Sequence, residues 1–108
     1  MGYVRNDTIL ADVWNVERDD PKLEAFRAAL PEAWRQLLVG PVVAIRNGSH
    51  YWTFLPDGSK EWWDISDEGD EHRAAFVALL ERIGCYYACV RWGGDYQAEH
   101  GVAGWGNP

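Results

Sequence analysis

The dipeptide Asn47-Gly48, set between two apolar runs, constrains this chain more than any other feature. Both residues tolerate the positive φ angles of a type I′ turn, whose twist matches that of paired strands. The flanks Pro41–Arg46 and Ser49–Leu55 are therefore expected to form an antiparallel hairpin. A two-residue turn would pair Ile45 with His50 and Val43 with Trp52. One face would then carry Val43, Ile45, His50, Trp52 and Phe54, and the other Val42, Ala44, Tyr51, Thr53 and Leu55. Pro56-Asp57-Gly58-Ser59 is a second turn signal. It leads into an expected third strand, Lys60–Ile65, with Trp62 opposite Trp52 and Trp63 opposite Tyr51.

Helical signals flank this meander. Asp20-Pro21 reads as an N-cap with proline at the first helical position. Leu23, Phe26, Leu30, Trp34 and Leu37 then recur every three or four residues, and Pro31 divides them into two short helices or one kinked helix. Ser66 and Asp67 are rival caps of a second helical stretch, whose buried stripe is Phe76, Leu79, Leu80 and Ile83 and which Gly84 ends. Cys85–Trp92 alternates as a strand, and Gly93-Gly94-Asp95 turns it into a weaker one, Tyr96–Val102. In the first twenty residues, Ile9, Leu10, Val13 and Trp14 sit at helical spacing behind a possible Asp7 cap, although the β-branched content argues for a strand. The helix is the reading preferred here. The expectation is one α+β domain over residues 1–108: an antiparallel sheet of four to five strands, meander plus hairpin, packed with two to three helices.

The chain has 108 residues, 47% of them apolar, which suffices for a single core but not for separate cofactor and substrate domains. Its net charge of −7 argues against nucleic-acid binding, which needs clustered Lys and Arg. Neither a signal peptide nor an apolar stretch long enough for a membrane span is evident, so a cytoplasmic protein without a membrane partner is expected. Cys85 and Cys89, four residues apart along one strand, are too distant for a disulfide and read as reduced, buried thiols.

The strongest charge feature runs from Asp57 to His72. It holds Asp57, Glu61, Asp64, Asp67, Glu68, Asp70 and Glu71 against one Lys60. Such a run is either a solvated turn and helix start, where acids are favoured anyway, or an anionic patch for a basic partner. Trp62 and Trp63 adjoin it. Neighbours on a strand face opposite ways, so they cannot both enter one core, and exposed Trp is a residue that interfaces favour. These nine residues, Trp62 and Trp63 included, form the candidate partner-binding surface.

Catalytic and metal signals are weaker. Cys85 or Cys89 with His50, His72 or His100 and Asp95 is a combination that many chains offer, and no nucleophile motif surrounds either cysteine. Asp64, Ser66, Glu68, Gly69 and Asp70 match the early positions of a calcium loop, but Ala75 stands where the bidentate Glu belongs. No catalytic residue, cofactor or metal is expected.

The stretch Phe54-Leu55-Pro56-Asp57-Gly58-Ser59-Lys60-Glu61, continuing through Trp63-Asp64-Ile65-Ser66-Asp67-Glu68-Gly69-Asp70, resembles small accessory proteins encoded by phages of actinobacteria. Val90-Arg91-Trp92-Gly93-Gly94-Asp95-Tyr96 is similar to their second hairpin. The resemblance implies a small α+β protein, in a group some of whose members bind and inhibit host proteins, and it carries no functional residues. Together these readings point to a non-enzymatic binding protein that engages a host protein through an acidic, aromatic-rimmed surface. An immunity protein or antitoxin, a DNA-mimic inhibitor and a small cysteine-dependent or hydrolytic enzyme are the alternatives. Homo-oligomerisation is left open.

Overall fold

The computed structural model describes residues 5–60, 63–93 and 100–106, the last of these in backbone course only. The elements are β1 (Arg5–Val13), α1 (Val16–Ala29), α2 (Glu32–Arg35), β2 (Leu38–Val43), β3 (His50–Phe54), α3 (Asp64–Ile83), β4 (Tyr86–Gly93) and β5 (His100–Gly106). The fold is α+β. One five-stranded sheet has the order β2-β3-β1-β4-β5, and every neighbouring pair is antiparallel. Because β3 and β4 both run against β1, they are parallel to each other with β1 between them. α3 is the crossover of this split β-α-β unit, and a crossover is what two parallel strands require.

The first strand corrects the expectation of a helix. Ile9, Ala11 and Val13 are buried at alternate positions, whereas Leu10 and Trp14 are 47% and 60% exposed. The period is two, and the apparent helical spacing was coincidental. β-branched residues suit the centre of a sheet, where each side chain packs against neighbours on two flanking strands.

Three further expectations shift. α1 begins at Val16, not after Asp20: Asn15 is its N-cap and accepts from the Arg18 amide at 3.3 Å, leaving Pro21 inside the helix. The hairpin turn is longer than two residues. Val43 pairs with His50 and Val42 with Tyr51, a bulge separates Val42 from Val39, and the Ala44 amide donates to Ser49 O at 2.9 Å. Ile45 therefore projects from the turn, 98% exposed, and has no place opposite His50. Asn47 Oδ1 closes this turn by accepting from the Ser49 amide and hydroxyl. Finally, among the described residues no third strand follows β3. β1 occupies that edge, pairing Ala11 with Trp52 and Asp12 with Tyr51, and helix α3 starts at Asp64, ahead of the expected Ser66 or Asp67 cap.

Other expectations hold. Pro31 ends one helix and caps the next, giving two helices from one apolar stripe. Leu23, Leu30, Trp34, Phe76, Leu79 and Leu80 all enter one core against Ile9, Ala11, Val13, Trp52 and Phe54. Phe76 is central to it: its ring lies 5.4 Å from Phe26 and 5.6 Å, edge-on, from Phe54. Gly84 closes α3 in the left-handed conformation.

Trp52, fully buried, joins the layers. Its Nε1–H donates to Asp20 Oδ1 at 2.9 Å, and Asp20 Oδ2 lies 2.5 Å from His50 Nδ1. The Arg27 guanidinium lies 4.9 Å from the indole centroid and donates to Leu38 O and Gly40 O. Gly40, with φ +150°, presses its backbone against the other part of the ring, where a Cβ would stand 2.7 Å from Trp52 Cδ2. Asp20 thus serves β3 rather than capping a helix. Removing its carboxylate leaves the Trp52 donor buried without a partner. Asp20→Ala should cost about 3 kcal/mol in denaturant unfolding, with the fold retained by circular dichroism.

Candidate functional site

The acidic segment spans the β3–α3 connection and the first two turns of α3. Among the described residues its carboxylates divide into two sets. Asp57, with a side chain 5% exposed, accepts from the Ser59 amide at 2.7 Å and lies 3.4 Å from Arg73 Nη1. Arg73 Nη2 donates to Asp70 at 2.9 Å. Glu68 accepts from Trp34 Nε1 at 2.5 Å and lies 3.3 Å from His72 Nε2, while the His72 ring sits 5.0 Å from Trp34. Glu68 therefore fastens α3 to α2, and Asp57 fastens it to the preceding turn through Arg73, which Asp70 holds from within the helix. The Asp70–Arg73 and Glu68–His72 spacings are those at which helical side chains meet.

Gly69 lies at the centre of this knot. A Cβ there would stand 2.5 Å from Asp57 Oδ2, 2.9 Å from Arg73 Nη2 and 2.9 Å from Trp34, so only glycine lets the helix approach so closely.

Asp64, Asp67 and Glu71 form the second set. All three are exposed, and among the described residues none of their carboxylates takes part in an internal hydrogen bond or ion pair. Trp63 and Ile65 stand beside them, 51% and 47% exposed, and Lys60 Nζ lies 5.8 Å from the Trp63 ring. The first-turn acids also face the positive end of the α3 dipole, which favours them there even without a partner. Glu61 and Trp62 lie outside the described residues. The structure thus brings Trp63, Asp64, Asp67 and Glu71 together on one exposed end of α3; it buries the Asp57 side chain, and it engages Glu68 and Asp70 in internal contacts while leaving both half exposed. Ile65 was missed by sequence reasoning because the expected strand gave it no exposed role.

The calcium-loop pattern falls within the α3 helix, where Asp64, Ser66, Glu68 and Asp70 project around the axis rather than toward one centre. Among the described residues no group of three or more His, Cys, Asp or Glu side chains is placed to hold a metal ion, and no helix is long and apolar enough to cross a membrane. His100 as a side chain, and Asp95, lie outside the described residues. Neither Cys85 nor Cys89 is disulfide-bonded, and Cys85 is buried while Cys89 is partly so. Burial, helped by nearby Asp19, pushes the Cys85 thiol up to about 11; burial raises Cys89 too, with Asp7 adding to it. Both therefore stay protonated at neutral pH, the opposite of an activated nucleophile.

An open groove of about 370 Å³ runs between α3 and strands β1 and β4. Ile9, Val77 and Cys89 supply apolar lining, and Arg91 bonds Asp7 across its rim at 2.7 Å. Its other cation, Arg73, is held by Asp57 and Asp70, so both arginines of the groove are paired within the protein. No family profile, curated protein or solved structure matches the chain.

Two outcomes follow from this geometry. Arg73→Met leaves Asp57 buried without its cation and should cost about 3–5 kcal/mol in unfolding free energy, part of which Asp57→Asn in the same chain should restore. The thiols make stability depend on alkaline pH. The folded state holds the Cys85 proton to about 11, while the unfolded thiol releases it near 9.0. Unfolding free energy should therefore fall as pH rises from 9.0 toward 11, and Cys85→Ala should flatten that slope in denaturant titrations.

Proposed function

We propose that this chain is a non-enzymatic binding protein whose partner is a protein with a basic surface, docked on the N-terminal end of α3. The observation that carries the reading is the pairing of Trp63 and Ile65, both about half exposed, with the uncompensated carboxylates of Asp64, Asp67 and Glu71. A charged ring around exposed apolar anchors is the arrangement in which charge speeds encounter and the aromatic slows release. The resemblance of residues 54–70 and 90–96 to phage accessory proteins supports a phage origin and a partner in the bacterial host.

The test is affinity capture from host lysate with the parent and two variants, followed by kinetics on the captured protein. Reversing Asp64, Asp67 and Glu71 to Lys should lower the association rate and flatten its dependence on salt. Trp63→Ala should instead raise the dissociation rate, by about 2 kcal/mol in affinity for a hot-spot residue. A partner that binds both folded variants like the parent would place the interface elsewhere.

A further inference from the structure

Among the described residues, helices cover the sheet on one side only. α1, α2 and α3 all contribute to the core against the face carrying Ile9, Ala11, Trp52 and Phe54. On the opposite face, Leu10 of β1, Val39 and Val42 of β2, and Tyr86 and Trp92 of β4 are 38–54% exposed. Strand alternation and the register place these residues on one surface: Leu10 opposes Ala88, Asp12 opposes Tyr86, and Val42 opposes Tyr51. Exposed apolar side chains gathered on one sheet face, here interspersed with Thr53 and Tyr51, mark an interaction site.

The charge of this face identifies what it fits. The chain carries a net −7, yet on strands β1 to β4 the only described Asp, Glu, Lys, Arg or His side chain that the register turns outward from the sheet is Asp12 at the end of β1. A basic partner finds almost no counter-charge here. An uncharged, apolar sheet face is complementary to another of its kind, and a second copy of this chain supplies one with matching width and twist. Five strands about 4.8 Å apart, each about six residues long, give about 500 Å² in plan. Two copies face to face then cover about 1,000 Å², the size at which a specific interface begins.

We infer that this chain forms a symmetric dimer by stacking the bare faces of two sheets, leaving the N-terminal end of each α3 free on the outside. Apolar contact across the uncharged faces holds the pair together, and like charge on the two chains opposes it. Salt screens that repulsion, so dimerisation should strengthen as ionic strength rises. Binding of a basic partner at α3 should weaken under the same change. The two interfaces are thus separable, and failure of one leaves the other standing.

Sedimentation equilibrium of the full chain over about a hundredfold concentration range, at low and high salt, should show the 12.3 kDa monomer passing to twice that mass, more readily at high salt. Leu10→Glu and Val42→Glu should each weaken the dimer at least about tenfold. Ile45→Glu, in the hairpin turn beyond the end of β2, adds the same charge and should not. In a sample mixed from labelled and unlabelled chains, inter-protomer NOEs should arise from the Leu10 and Val42 methyl groups, a readout that needs no variant. Monomeric mass under all conditions overturns the inference, whatever else binds the face. So does a dimer that salt weakens, that survives either folded variant, or that lacks those NOEs.

Discussion

The indole of Trp52 is the contact on which the layers depend. A tryptophan this deep must satisfy its N–H, and the only carboxylate that does so comes from α1, which fixes that helix over β3. The same ring takes the Arg27 guanidinium on its surface, and Arg27 in turn holds the carbonyls of β2. Gly40 brings the β2 backbone close enough to complete the enclosure. One side chain thereby sets the position of α1, β2 and β3, and β1 follows because Ala11 is its neighbour in register.

The acidic segment illustrates how folding alters a charge pattern. Seven carboxylates in a row suggest a uniform anionic surface, but a buried arginine between two of them is worth far more to the fold than an exposed one. Arg73 pairs with Asp57 and Asp70, and Trp34 with Glu68; of the three acids only Asp57 has a buried side chain. What remains for a partner is a smaller patch, more sharply localised at Trp63, Asp64, Ile65, Asp67 and Glu71. Its position at the start of a 20-residue helix, outside the sheet, keeps it clear of the core.

Away from that patch lies the sheet face that no described helix covers. A split β-α-β unit with its helices on one side leaves the second face to solvent unless something packs there. On this chain that face is nearly uncharged and rich in Leu, Val, Tyr and Trp, in contrast to the polar outer surfaces of α1 and α3. The molecule therefore presents two chemically different surfaces on its two sides, one suited to electrostatic recognition and one to apolar contact.

Local signals in the sequence determined much of this: the α+β class, the break at Pro31, the cap at Gly84, the buried stripes of α1 and α3, and the strand at Tyr86–Trp92. Each rests on a period or a backbone preference that acts within a few residues. Residues 5–13 were misread because a short apolar run fits periods of two and of 3.6 alike until its neighbours are known. The identity of those neighbours is a tertiary fact: β1 lies between β3 and β4, displacing the expected third strand and leaving Trp63 to begin a helix. The hairpin register also escaped local reading, because the bulge after Val39 and the Asn47–Ser49 hydrogen bonds stretch the turn past two residues. Which acids are left without an internal partner was decided last, by Arg73, which the chain path brings against Asp57 of the preceding turn, and by Trp34, which the packing of α2 against α3 brings to Glu68.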